Sequence, residues 1–152
     1  MSIAAVRPDS WNLPLVLHVL GAMVLVALLA TAAVVLSLAL RSDDRSAALR
    51  LAFRTLLIGA IPAYLVMRVG AQWTLSKENL EDADFTWIDI GFMVSDVGLL
   101  VLIVMTVLTG MASRRVRRGD TPSGLVRWAN ALTLLLIVGY GVALWAMSTK
   151  PV

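Results

Sequence analysis

The 152-residue chain contains no cysteine. Disulfides, a thiolate nucleophile, iron–sulfur clusters and cysteine-bound zinc are therefore excluded. Histidine occurs once, at His18, so a zinc site also lacks a second imidazole. Charged residues make up 15% of the chain and apolar residues 59%, whereas a soluble domain carries about 25% charge. So little charge excludes an ordinary water-soluble globule. It also excludes disorder, which needs a polar, charge-rich composition. No Walker loop, dinucleotide fingerprint or zincin helix occurs. What the chain has instead is long apolar runs and a mean hydropathy of +0.85, which mark a single integral membrane domain over residues 1–152.

A helix needs about 20 mostly apolar residues to cross the hydrocarbon core. Four segments qualify, at about 11–40, 51–73, 87–111 and 126–147. The first is too long for a signal-peptide core, and only Arg7 precedes it, so it reads as a retained helix. The loop between the first two spans carries Arg41, Arg45 and Arg50, and the loop between the last two carries Arg114, Arg115, Arg117, Arg118 and Arg127. The positive-inside rule puts both loops in the cytoplasm. The 74–86 connection holds Lys77 against Glu78, Glu81, Asp82 and Asp84, and falls outside with both termini. Trp11, Trp73, Trp87 and Trp145 then lie at outer helix ends and Trp128 at an inner one, as interfacial indoles should.

These readings predict an all-α fold, a transmembrane four-helix up-down bundle with both termini on the outer side. Pro62 is expected to kink the second helix. Small residues four apart, Gly59 and Ala63, Gly91 and Ser95, Gly139 and Ala143, offer places where helices can approach closely. The 74–86 connection is open to either a short surface helix or an irregular loop. The formal charge of +3 comes from arginines between apolar runs, where topology accounts for them. The expected surroundings are lipid rather than nucleic acid.

Ionisable groups at membrane depth are costly and usually turn inward, pair, or mark a site. Counting about 1.5 Å per residue from the flanking tryptophans, His18 lies about 10 Å deep, Arg68 about 7 Å, Asp89 about 3 Å and Asp96 about 13 Å. All four fall in the outer half of the bilayer, so three helices bring polar groups to one side. Asp89 and Asp96 are seven residues apart and can face the same neighbour. Arg68 has either as a potential partner, and Gln72 and Tyr64, one turn outward and inward of it, extend the polar stripe. The competing reading is structural, with Arg68 snorkelling, Asp89 in the interface and Asp96 bonding a neighbouring helix. No metal site is expected. A haem would need His18 with Met67 or Met93, or a second copy of the chain to supply another histidine.

The run Leu17-His18-Val19-Leu20-Gly21-Ala22 resembles the opening helix of a group of small bacterial integral membrane proteins of unknown function. It is also similar to the helix start of the copper-resistance CopD-like membrane proteins. The likeness is specific over about six residues and architectural beyond them. It implies a bacterial inner membrane and no established activity, and it carries over His18 alone, as a polar or ligand position. This chain departs from the CopD-like pattern in having no second histidine.

Three functional readings follow. The first is a non-enzymatic accessory or structural membrane subunit, bound to another membrane protein or to further copies of itself, with a buried polar cluster near the outer leaflet. The second is a small transporter or proton-relay component using Asp96, Arg68 and His18. The third is a haem- or copper-binding protein using His18. No catalytic constellation is strong enough to make the chain an enzyme.

Overall fold

A computed structural model describes residues 12–42, 44–77 and 86–149. Trp11, the side chain of Trp87, Arg7, Lys150 and the acidic part of the 74–86 connection lie outside the described residues. Within them the regular structure is all helical: α1 (Asn12–Arg41), α2 (Ser46–Lys77), α3 (Thr86–Val116) and α4 (Ser123–Thr149). All four are long and apolar enough to cross a membrane.

The helices overrun the expected spans into their polar flanks. Arg50 and Arg54 sit in the first turns of α2, while Arg114 and Arg115 occupy the last turn of α3, where cations complement the helix dipole. Asp44 starts α2. Its carboxylate accepts hydrogen bonds from the Ser46 N–H (3.0 Å) and the Ser46 hydroxyl (2.9 Å), satisfying one of the unpaired donors of a helix start. The bond from the Ser46 backbone, then that from its hydroxyl, holds the Asp44 carboxyl below the usual carboxylate range. The capping interaction is thus complete at neutral pH and is lost as the pH falls through that lowered value. At the other connection, Gly119 has a φ of +88°. It lets the Gly119 N–H reach the Val116 carbonyl at 3.0 Å and the Asp120 N–H reach that of Arg115 at 3.1 Å, a Schellman stop for α3.

Pro62 acts on α2 through a wide turn. Residues Thr55–Ala60 are π-helical, and the Ile61 N–H bonds to the Leu56 carbonyl five residues back. A proline lacks the N–H that would bond to the carbonyl four residues earlier and collides with that carbonyl, and the wider turn removes the collision. It also corrects the buried face. Ala52, Leu56, Ala60 and Tyr64 are all buried at steps of four, and in a regular α-helix each such step drifts by about 40°. We expect Pro62→Ala to let this turn close, rotating the Lys77 half of α2 by about 100° against the rest. A double-mutant cycle between Arg68 and Asp96 should then show little coupling.

α1 packs along α2 and also against α4, α3 packs along α4, and the Ser46 half of α2 packs on α3. The Lys77 half of α2 stands away from α3. Two core layers draw on all four helices. One holds Leu29, Leu56, Tyr64, Leu102, Met105 and Leu136; the other holds Leu36, Leu49, Ala112, Val126 and Ala129. No more than a third of each span is buried, 33% in α1 to α3 and 22% in α4. The outward surface is aliphatic, with Met23, Val34, Ile58, Leu100, Leu135 and Leu144 all exposed. Acyl chains suit such a surface and water does not.

Helices in lipid gain little from apolar burial against each other, so close packing decides which faces meet. The tightest approach is between α1 and α2, at Gly21 and Gly70. A Cβ on Gly21 would lie 2.6 Å from the Met67 nitrogen, and one on Gly70 would overlap the His18 backbone. Of the small pairs singled out by spacing, a Cβ on Gly59 would lie 3.0 Å from the Leu28 side chain, one on Gly91 would press on the flexible end of Met147, and one on Gly139 would have ordinary room, 3.6 Å from Val94. The decisive glycines lie on two different helices, Gly21 against the Met67 backbone and Gly70 against that of His18, rather than repeating along one.

Candidate functional site

Where α2 and α3 separate, Arg68 reaches across the gap. Its Nη2 lies 2.9 Å from Asp96 Oδ1. The guanidinium also stacks over the Phe92 ring, 4.3 Å from the centroid, and Phe92 is one turn before Asp96 on α3. One turn deeper the two helices meet again through hydroxyls. The Tyr64 hydroxyl donates to the Ser95 carbonyl, and the Ser95 hydroxyl donates to Tyr64 Oη, both at 3.3 Å. Tyr64 is 2% exposed and Ser95 7%. The floor of the gap is therefore buried, but its mouth is not. The Arg68 side chain is 29% exposed and that of Asp96 60%.

This corrects the expectation of a buried cluster: the ion pair sits on the flank of the bundle, because the Lys77 half of α2 diverges from α3. Arg68 pairs with Asp96. Asp89, two turns away on α3, is exposed and takes no part. Gln72 is exposed one turn beyond Arg68. His18 belongs to a different contact, its Nδ1–H donating to the Met67 carbonyl at 3.1 Å across the α1–α2 crossing. Since a carbonyl oxygen only accepts, that bond places a hydrogen on Nδ1.

The donor set for a haem or copper ion is not assembled around His18. Met67 is buried in the core, Met93 lies on the exposed face of α3, and α1 and α3 are not packing neighbours. Among the described residues no three histidine, aspartate or glutamate side chains gather into a metal-binding group.

Attention to ionisable residues alone misses a second polar set at the arginine-rich end. The Asn130 amide donates to the Ser37 hydroxyl at 3.1 Å, joining α4 to α1. Thr106, Thr109 and Thr133 are buried, each bonding at 2.7 Å to the carbonyl four residues back. Thr133 also reaches the Met105 sulfur at 3.4 Å. A search for uncharged polar residues within the apolar runs would have found these. Two buried atoms have no partner among the described residues, Asn130 Oδ1 and the Tyr140 hydroxyl. A buried unpaired hydroxyl is a net cost, so Tyr140→Phe should leave stability unchanged or raise it by about 1 kcal/mol, as read by thermal unfolding in detergent.

Comparison of the chain with family models, curated proteins and solved structures finds no match to any of them.

Proposed function

We propose that this protein is a non-enzymatic accessory subunit of a membrane assembly, and that the α2–α3 flank around Arg68 and Asp96 is its docking face. It is inserted as an up-down bundle in a bacterial inner membrane, with both termini and the acidic connection outside. The arginine placement supports the orientation, and the resemblance of the opening helix supports the membrane.

One observation carries the docking face: an ion pair with its carboxylate 60% exposed, at a position that counting from the flanking tryptophan puts about 13 Å below the outer interface. Charged groups at that depth favour a protein or aqueous environment over lipid. A partner helix that places a polar side chain beside Asp96 supplies it, and hydrogen bonds between membrane helices contribute to such association. The proton-relay reading has less support. Going inward from Ser95 the buried positions of α3 are Gly98, Leu102 and Met105 before Thr106; the Tyr140 hydroxyl lies beside Gly98 but has no hydrogen-bond partner among the described residues, so no hydrogen-bonded path runs on from Ser95.

The test is purification of the tagged protein from its native membrane in mild detergent. A stoichiometric membrane partner, or a defined homo-oligomer, is expected with the wild type and is expected to be lost with Asp96→Leu combined with Arg68→Leu. A solitary wild-type monomer overturns the proposal.

A further inference from the structure

A second site lies at the opposite end of α2. The segment Ser46–Arg54 is strongly two-faced. Leu49 and Ala52 are fully buried, whereas Ala47, Arg50, Leu51 and Arg54 line an open groove of about 290 Å³. Arg50 and Arg54 are four residues apart, so their side chains leave the helix on one face with Cβ atoms about 5–6 Å apart. Between them Leu51 is 53% exposed, and Ala47 is too small to fill the space.

The charge around this groove is unbalanced. Residues 41–54 and 114–127 hold nine arginines against three aspartates. Among the described residues neither Arg50 nor Arg54 forms an ion pair with a carboxylate. Asp44 acts on Arg50 only through its field, its oxygen being engaged by Ser46. Two arginines lining one groove beside a small apolar floor, at the end of a long apolar helix, match a phosphodiester with a hydrocarbon tail. Guanidinium binds phosphate oxygens in a fork geometry, with charge-assisted hydrogen bonds.

We infer that the groove formed by Ala47, Arg50, Leu51 and Arg54 binds the headgroup of an anionic phospholipid, its phosphate between the two arginines and its glycerol and upper acyl chain over Leu51. The site rests on the membrane insertion proposed above but not on the docking face at Asp96. The two therefore fail separately.

The experiment titrates the full-length protein in detergent with phosphatidylglycerol, with phosphatidylcholine and with glycerol phosphate, reading thermal unfolding and the lipid retained in native mass spectrometry. Phosphatidylglycerol should bind more tightly than phosphatidylcholine, by about fivefold for each arginine engaged. Arg50→Gln with Arg54→Gln should abolish that preference, while Arg117→Gln with Arg118→Gln, at the exposed α3–α4 turn, should keep it. Arg50→Lys with Arg54→Lys preserves the charge and removes the fork, so a reduced preference is expected even if the glutamine variant does not fold. Equal binding of the two lipids by the wild type, or an unchanged preference in both Arg50/Arg54 variants, overturns the site. Binding of glycerol phosphate as tight as that of the lipid overturns the lipid as its occupant.

Discussion

Gly70→Ala should lower the thermal stability of the purified protein by about 1–3 kcal/mol, the usual penalty for forcing atoms into a filled contact. The same change at Gly141 should be neutral or stabilising. The added methyl group meets the backbone of His18 at one site and nothing within 4 Å at the other. Away from contacts, alanine in a helix is favoured over glycine by about 0.5–1 kcal/mol, so the two variants should differ in sign. Backbone cannot rotate aside as a side chain can. The α1–α2 crossing must therefore open, and the hydrogen bond from His18 to the Met67 carbonyl opens with it. Equal melting of the Gly70 and Gly141 variants would remove the close crossing as an element of the fold.

Asp96→Ala is expected to have the second large effect, through the charge it leaves behind. Without its carboxylate the Arg68 guanidinium faces hydrocarbon with only the Phe92 ring as a partner. The cost of a lone charged side chain near the helix centre is about 2.5–3.5 kcal/mol. Arg68 lies nearer the surface and has a long side chain that can tilt outward, so a loss of about 2 kcal/mol is the expected figure. Arg68→Ala with Asp96→Ala should be less damaging than the sum of the two single changes, since it removes both charges together. Unfolding measured for all four proteins gives the coupling, expected at about 1–2 kcal/mol. Strict additivity would show that the 2.9 Å contact contributes nothing to the bundle, and the docking proposal would lose the group on which it rests.

The sequence by itself determined that the chain folds into four helices long and apolar enough to cross a membrane. Apolar runs above the length needed to cross a bilayer, and arginines gathered in alternate connections, are properties of the chain that require no knowledge of which helices touch. The same reasoning found Arg68 and Asp96, since a charge is conspicuous in a hydrophobic run wherever it points. It could not tell whether the pair faces the bundle interior. Asp89 and Asp96 share a helical face by spacing, yet only Asp96 meets Arg68. The wide turn before Pro62 sets the rotation of the second half of α2, and the divergence from α3 opens the cleft there.

Tertiary structure alone decided three further things: the seating of Gly21 against Met67 and of Gly70 against His18, the bond from Asn130 to Ser37, and the exposure of the ion pair on the flank. Each depends on the relative position of residues far apart in the chain. In helices apolar on every side no stripe of polarity marks the inner face, so periodicity is silent about packing. That choice falls to shape, to where glycine lets two backbones meet and where a proline makes a turn widen.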